Sequence, residues 1–254
     1  SIVCIVKNEA PYLEEWVRYH LSIGVEHFYI YNNDSSDDIE QVLKKFGSKV
    51  TLLDIHGPVR QLDAYNDAIN RFSEQTKYLA VIDADEFIYS PKGDHKVLSI
   101  IDGVFDDRKV GGLTVNWVIY GSSNFKKKPS GLVTDRFVYR ANDDFYKNRF
   151  IKTICDPRKV YSFTISHAAN YLPGYHAVNE LGKIVRWAST KSVHISQIRL
   201  NHYYSKSKEE FMQKRARGSG EVLGLRSVEE FEEHDKNDVL DTSMRDYNKK
   251  ENLN

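Results

Sequence analysis

Cysteine is scarce in this 254-residue chain: only Cys4 and Cys155 occur. Two thiols cannot build a disulfide scaffold or a cysteine-based zinc site. Cys4 stands inside the apolar run Ile2 to Val6 and reads as a buried core thiol. A surplus of either charge is also lacking, with 36 Lys plus Arg against 36 Asp plus Glu. That balance argues against a dedicated nucleic-acid binder, which carries excess positive charge. No run comes near the ~20 apolar residues that span a bilayer, and no signal-like segment is present. The chain opens without Met at Ser1, inside an apolar run, so an anchor trimmed from its start is one expectation. No G-x-G-x-x-G follows a strand, and neither a P-loop nor H-E-x-x-H occurs, which disfavours dehydrogenases, P-loop enzymes and zincins. Repeats, low-complexity blocks and clear linkers are missing, and the length suits one large domain. What remains is ordinary for a soluble globular protein: 41% hydrophobic and 28% charged residues.

The first part of the chain alternates apolar runs with helical patterns. Ile2 to Val6 reads as a buried strand. A helix follows from Pro11, with Leu13, Trp16, Val17, His20 and Leu21 at helical spacing, and Gly24 ends it. Phe28 to Tyr31 is a second strand, and the polar loop Asn32 to Asp38 leads to a short helix from Ile39 to Phe46. Val50 to Asp54, a helix from Arg60 to Gln75, and Tyr78 to Ile82 continue the series. Strands alternating with helices predict a parallel sheet with right-handed crossovers. Ligands of such sheets lie outside the carboxyl ends of the strands, here 7–9, 32–37, 55–61 and 83–86. The second half predicts a long strand from Gly111 to Tyr120 and strands near 132–140, 151–155, 159–166 and 191–198. Lys126-Lys127-Lys128-Pro129 is a loop, either a solvated turn or a contact to an acceptor or membrane surface. Ser207 to Glu210 is a capping box that opens a helix through Arg217. The polar tail from Asp246 is expected to fray.

Two constellations carry chemistry. Asp83-Ala84-Asp85-Glu86-Phe87 directly follows the fourth strand. Two carboxylates at that lip repel and carry a desolvation cost unless a cation joins them. Hard oxygen ligands select Mg²⁺ or Mn²⁺, which keep positions open for diphosphate oxygens; helix capping is the plainer reading. The second is Asn201-His202-Tyr203-Tyr204-Ser205-Lys206-Ser207, running into Lys214 and Arg217. His202 could close a metal shell or be a satisfied polar residue. The cations could hold phosphate or lie on a solvated helix face.

Together with Ile5-Val6-Lys7-Asn8-Glu9 and Tyr31-Asn32-Asn33-Asp34-Ser35-Ser36-Asp37, these segments resemble the family-2-like glycosyltransferases, and within them the branch close to glycosyltransferase family 92. The resemblance runs over roughly residues 2–240. It implies an α/β GT-A fold with a mixed central sheet, helices on both faces, a nucleotide-sugar-binding half at 1–110 and an acceptor-binding half at 111–245. It further implies a nucleotide-sugar donor, usually UDP-linked, and Mn²⁺ or Mg²⁺. By the same resemblance, Glu9, Asn33 and Gln61 fall where such proteins contact the nucleoside. Asp83 and Asp85 fall on the D-x-D, and His202 on the late metal-binding histidine. Lys206, Lys214 and Arg217 match basic positions near the diphosphate. Relatives often carry Asp-Asp-Gly-Ser after the second strand, where this chain has Asn32-Asn33-Asp34-Ser35; an Asn can still pair with a uracil edge. A bacterial enzyme of surface polysaccharide or lipopolysaccharide synthesis is the implied setting. It would act in the cytoplasm at the inner face of a membrane, on a glycan or lipid-linked glycan, with no nucleic-acid partner.

Rupture of the anomeric bond leaves negative charge on the diphosphate, which a divalent ion and nearby cations would stabilise. The sugar becomes oxocarbenium-like. An inverting reaction needs a carboxylate base within reach of the acceptor hydroxyl. The candidates are Asp135, at the start of a predicted strand, and Glu86, beside the D-x-D; ion pairing with Arg136 or Arg140 and helix capping are their plainer roles. His167 and His194 read as core or rim histidines or as ligands, and Trp117 and Tyr120 as core or sugar-stacking rings. A nucleotidyltransferase is disfavoured because the loop Lys7 to Pro11 has no glycine. A non-catalytic carbohydrate- or nucleotide-binding protein that keeps the fold is the competing reading.

Overall fold

A computed structural model describes residues 1–93, 96–218, 220 and 223–253. In chain order they form β1 (Ile2–Val6), α1 (Ala10–Ser22), β2 (Phe28–Asn32), α2 (Ile39–Lys44), β3 (Val50–Asp54), α3 (Gln61–Phe72), β4 (Leu79–Val81), β5 (Glu86–Tyr89), α4 (Val97–Phe105) and β6 (Val110–Ile119). Then come α5 (Val133–Arg136), β7 (Tyr139–Arg140), β8 (Ile151–Cys155), β9 (Val160–Phe163), β10 (Ala169–Tyr171), β11 (His176–Val178), β12 (Ile184–Val185), β13 (Arg199–His202), α6 (Lys208–Ala216), α7 (Glu229–His234), β14 (Val239–Leu240) and α8 (Ser243–Glu251).

The main sheet runs β12-β11-β6-β8-β4-β1-β2-β3, with β13 joining β6 to β5. Its first half is the parallel sheet that the alternating pattern predicts, since β1 pairs in parallel with β2 and β4, and β2 with β3. The sheet as a whole is mixed, because β8 lies antiparallel between β4 and β6. Alternation along β1 sorts its side chains to opposite faces. Ile2, Cys4 and Val6 join one core with Leu13, Trp16 and Val17 of α1. Val3 joins another with Ala64, Tyr65 and Ile69 of α3. Helices therefore cover both faces, the GT-A plan that the resemblance implies.

Three expectations are corrected, and one strand is added. Of the stretch 132–140 only Tyr139–Arg140, β7, is a strand: Val133 and Thr134 donate their amides to the Glu15 carboxylate at 2.7 and 2.9 Å. That carboxylate, reaching from α1, caps the one-turn helix α5. Stretch 191–198 forms no strand; β13 comes after it. The Glu180 carboxylate accepts the amides of Ser196, Gln197 and Ile198 at 2.8 to 2.9 Å and so replaces a ladder partner. The tail does not fray, because α8 buries Met244, Tyr247 and Asn248. Asn248 donates to Thr134 and Asp135. Finally, β5 follows the D-x-D immediately. α1 holds it in place, with Trp16 Nε1 donating to the Glu86 carbonyl at 2.8 Å and Tyr19 to the Ile88 carbonyl at 2.7 Å. His20, fully enclosed there, is pushed down to about 3 by burial and stays neutral. Among the described residues no helix is long and apolar enough to cross a membrane.

Candidate functional site

The carboxyl ends of β1, β2 and β4, the start of α3, β13 and α6 converge on a cleft of about 450 Å³. Parallel strands place their carboxyl ends on one side, so the loops after them meet there. The cleft is lined by Glu9, Asn33, Gln61, Asp83, Asp85, His202, Lys214 and Arg217, all named from the sequence, together with Lys152, Trp117 and His167. Lys206, Asp135, Glu86, His194 and Tyr120 do not line it.

Asp83 and Asp85 stand at the tip of β4, and each is met by a lysine. Lys152 Nζ lies 2.9 Å from Asp83 Oδ2, and Lys214 Nζ lies 2.5 Å from Asp85 Oδ2. The other Asp83 oxygen accepts from Gln61 Nε2 at 2.9 Å and Tyr65 OH at 3.2 Å. Both oxygens of Asp83 are thus engaged by the protein, and Gln61 spends its amide on Asp83 and Tyr65. Burial works against the Asp85 charge, yet Lys214 and His202 hold the carboxyl well below the usual range. Burial also opposes the charge on Asp83, and Lys152 keeps it below the ordinary value. Burial draws Lys214 down to about 8 against the pull of Asp85.

Asp85 Oδ1 and His202 Nε2 lie 3.5 Å apart. At that spacing both reach one ion through bonds of about 2.1 Å. Behind the ring, His202 Nδ1 and Glu86 Oε1 face each other at 3.9 Å, and neither has a hydrogen-bond partner. At 3.9 Å the two do not hydrogen-bond, and the ring is steered instead by Asp85 and by packing on Trp117. Among the described residues no group of three or more His, Cys, Asp or Glu is arranged to hold a metal. The donor set offers one carboxylate and one imidazole, and would leave the remaining positions of an ion to water and ligand oxygens.

Glu86, expected as a candidate base, does not line the cleft. It is fully buried, accepts the Asp83 amide at 2.8 Å and cannot meet an acceptor. Burial, with Asp83 and Asp85 adding to it against Lys152, pushes its carboxyl well above the usual range. Asp135 is corrected too: half-buried on α5, it accepts from Asn248 at 2.8 Å, away from the cleft. Lys206, whose Nζ lies over the Tyr12 ring at 4.2 Å, is buried outside the cleft lining. Tyr120 is a core ring, whereas Trp117 lines the cleft and packs on His202, ring centroids 4.4 Å apart.

At the end of the cleft after β1 and β2, Glu9 Oε1 pairs with the Arg217 guanidinium, which also donates to the Asn8 carbonyl at 2.8 Å. Glu9 Oε2 is buried without a partner. Asn33 spends both amide hydrogens on the Ile55 and Gly57 carbonyls at 3.0 and 2.9 Å. Its oxygen is the group left to meet a ligand.

Lys152 is the main residue that the sequence analysis passed over. Its signal was present: a lysine inside the apolar strand IKTIC is only 2% exposed, and a buried lysine requires a partner. Tyr204, Arg226 and Glu230 also line the cleft without having been singled out for it.

The sequence profile of Glycosyltransferase family 92 matches residues 2–251. A glycosyltransferase family 92 protein of Oryza sativa subsp. japonica is 30% identical over 142 residues, covering 54% of this chain and 24% of that protein. A beta-1,4-galactosyltransferase, galt-1, of Caenorhabditis elegans is 25% identical over 191 residues, covering 70% of this chain and 44% of that one. The chain therefore spans about a quarter of the rice relative and under half of the nematode one. Among solved structures, S. aureus TarS (residues 1–349) in complex with UDP aligns with a TM-score of 0.36 at 16% identity, over 51% of this chain and 37% of that chain.

Proposed function

The chain belongs to glycosyltransferase family 92, and from that premise we propose that its cleft transfers a sugar from a UDP-linked donor to a glycan hydroxyl with the help of Mn²⁺ or Mg²⁺. The observation that carries the reading is the meeting of Asp85 and His202 at 3.5 Å on the lip of β4, in a cleft that Lys7, Lys152, Lys214, Arg217 and Arg226 also line. Cations converging on a cleft suit the oxygens of a diphosphate. The galactosyltransferase activity in the nematode relative's name supports sugar transfer.

Each residue has a part in this reading. Asn33 offers a carbonyl oxygen, which complements the N3–H donor of uracil. Asp85 and His202 would hold the divalent ion, with Trp117 packed on the His202 ring. When bound, the ion supplies Lewis-acid stabilisation of the departing diphosphate. Lys214, released from Asp85, reaches the same charge from α6. Asp83, locked by Lys152, Gln61 and Tyr65, keeps the lip rigid, so that the groups aimed at the leaving charge need no rearrangement. A role in surface-glycan synthesis belongs to the same proposal.

A panel of nucleotide-sugars, assayed for nucleoside diphosphate release, tests it. UDP-sugars are expected to be turned over with Mn²⁺ or Mg²⁺ and to stop reacting when a chelator removes the ion. Equal release in chelator would defeat the metal-dependent reading. Absence of release from every donor would favour a non-catalytic binding protein.

A further inference from the structure

The loop between β6 and α5 carries Lys126-Lys127-Lys128, a cluster that neither the fold nor the cleft uses. All three lysines are exposed, and Phe125 before them is 40% exposed. The loop is fixed to α6. The Lys208 and Glu209 amides donate to the Phe125 and Lys126 carbonyls at 3.2 and 3.0 Å. A helix leaves its first amides without an internal partner, and here the loop carbonyls take two of them. The Lys128 amide donates back to Glu209 Oε2 at 2.7 Å. Lys128 Nζ lies over the Tyr12 ring at 4.7 Å, which ties the loop to α1 as well. The three lysines are thereby held beside Lys208, itself exposed in the first turn of α6.

This arrangement works against stability. The N-terminal end of a helix is its positive end, where cations are unfavourable. Four ammonium groups gathered there also repel one another, with Glu209 as a nearby counter-charge. Glu210, the other carboxylate of the first turn, is spent inside on Ser207, Tyr12 and Arg136. Among the described residues Lys126, Lys127 and Lys208 form no salt bridge. The whole chain balances 36 cations against 36 anions, so the excess is local. A local excess that the fold does not use points to a partner of opposite sign. Apolar groups accompany it. Met212 lies one turn after Lys208 on the outer face of α6 and is 40% exposed, like Phe125. Lysines mixed with exposed apolar side chains suit a headgroup layer, where ammonium groups meet lipid phosphates and apolar groups enter the acyl boundary. None of these lysines lines the cleft, yet α6 joins the two places. Lys214, in the cleft lining, lies about 9 Å further along the helix axis from Lys208.

We propose that this face, Phe125 to Lys128 with Lys208 and Met212, seats the protein on an anionic lipid bilayer, with the donor cleft beside the headgroups. The proposal does not depend on the glycosyl-transfer reading, and its test is direct binding. The protein is sedimented with vesicles of phosphatidylcholine, alone or with about 30% phosphatidylglycerol. It is expected to bind the anionic vesicles at about 0.1 M salt and to come off at about 0.5 M. Lys126→Gln, Lys127→Gln and Lys208→Gln together should weaken that binding at least about tenfold. UDP binding, which reports an intact fold, should stay within twofold of wild type. The control removes three exposed lysines on the β11–β12 side, as Lys109→Gln, Lys183→Gln and Lys191→Gln. It should change vesicle binding less than twofold. No sedimentation with anionic vesicles, or equal sedimentation with neutral ones, would overturn the proposal. So would equal binding by the first variant, or an equal loss in the control. Displacement by inorganic phosphate beyond that of chloride at equal ionic strength would assign the lysines to a soluble anion and overturn it. Retention on heparin without vesicle binding would do the same.

Discussion

Asp85→Asn is expected to lower sugar transfer, read as nucleoside diphosphate released, by about a thousandfold, with the fold unchanged. The substitution keeps the shape and removes the charge that His202 and Lys214 share at 3.5 and 2.5 Å. Asn is a poor ligand for a hard cation compared with a carboxylate. Both the ion and the orientation of His202 should therefore fail together. The fold should tolerate the change, because Lys214 is already drawn down to about 8 by burial and can shed its proton once its partner is gone. Circular dichroism and the melting temperature report on that point. Transfer within threefold of wild type would remove Asp85 from the chemistry. Asp83→Asn provides the contrast. Its oxygens are engaged by Lys152, Gln61 and Tyr65, so its loss should act more through the shape of the lip than through the ion.

The second large effect is on stability. Lys152→Met should destabilise the protein by about 3–5 kcal/mol, the cost of leaving a buried ion pair half empty. Lys152 is 2% exposed and lies 2.9 Å from Asp83 and 3.9 Å from Glu86. Burial disfavours its charge, but those two carboxylates hold its pKa well above the usual lysine value, so it stays charged. Met fills a similar volume and answers neither carboxylate. Urea unfolding of Lys152→Met measures the loss. The double variant Lys152→Met, Asp83→Asn should recover a sizeable part of it, because the stranded charge disappears with its partner. A loss under about 1 kcal/mol would mean that the pair is screened and contributes little.

Much of this was legible in the residues. The strands β1 to β4 announce themselves as apolar runs because a parallel sheet covered on both faces needs no polar side. With those strands placed, the position of Asp83 and Asp85 at a carboxyl end follows, and both line the cleft found there. The capping box at Ser207 also formed as written, with Ser207 and Glu210 exchanging side-chain and backbone bonds. What escaped depends on partners far away in sequence. α5 exists because Glu15 caps it across 118 residues. β5 exists because β13 pairs with it and Trp16, Tyr19 and His20 take up its other backbone groups. β13 begins with Arg199, a residue that reads as solvent-facing until Asp241 is found 2.8 Å away. Glu86 looked like a base beside a metal pair. Only the third dimension shows that it faces inward, toward the back of His202.

The most direct measurement is diffraction at the manganese absorption edge from crystals of the wild-type protein grown with Mn²⁺ and UDP. The account predicts one anomalous peak between Asp85 Oδ1 and His202 Nε2, in contact with the diphosphate, with Lys214 moved off Asp85 and the uracil facing the Asn33 oxygen. UDP seated in the cleft with no manganese at that point, and Lys214 still on Asp85, would contradict it.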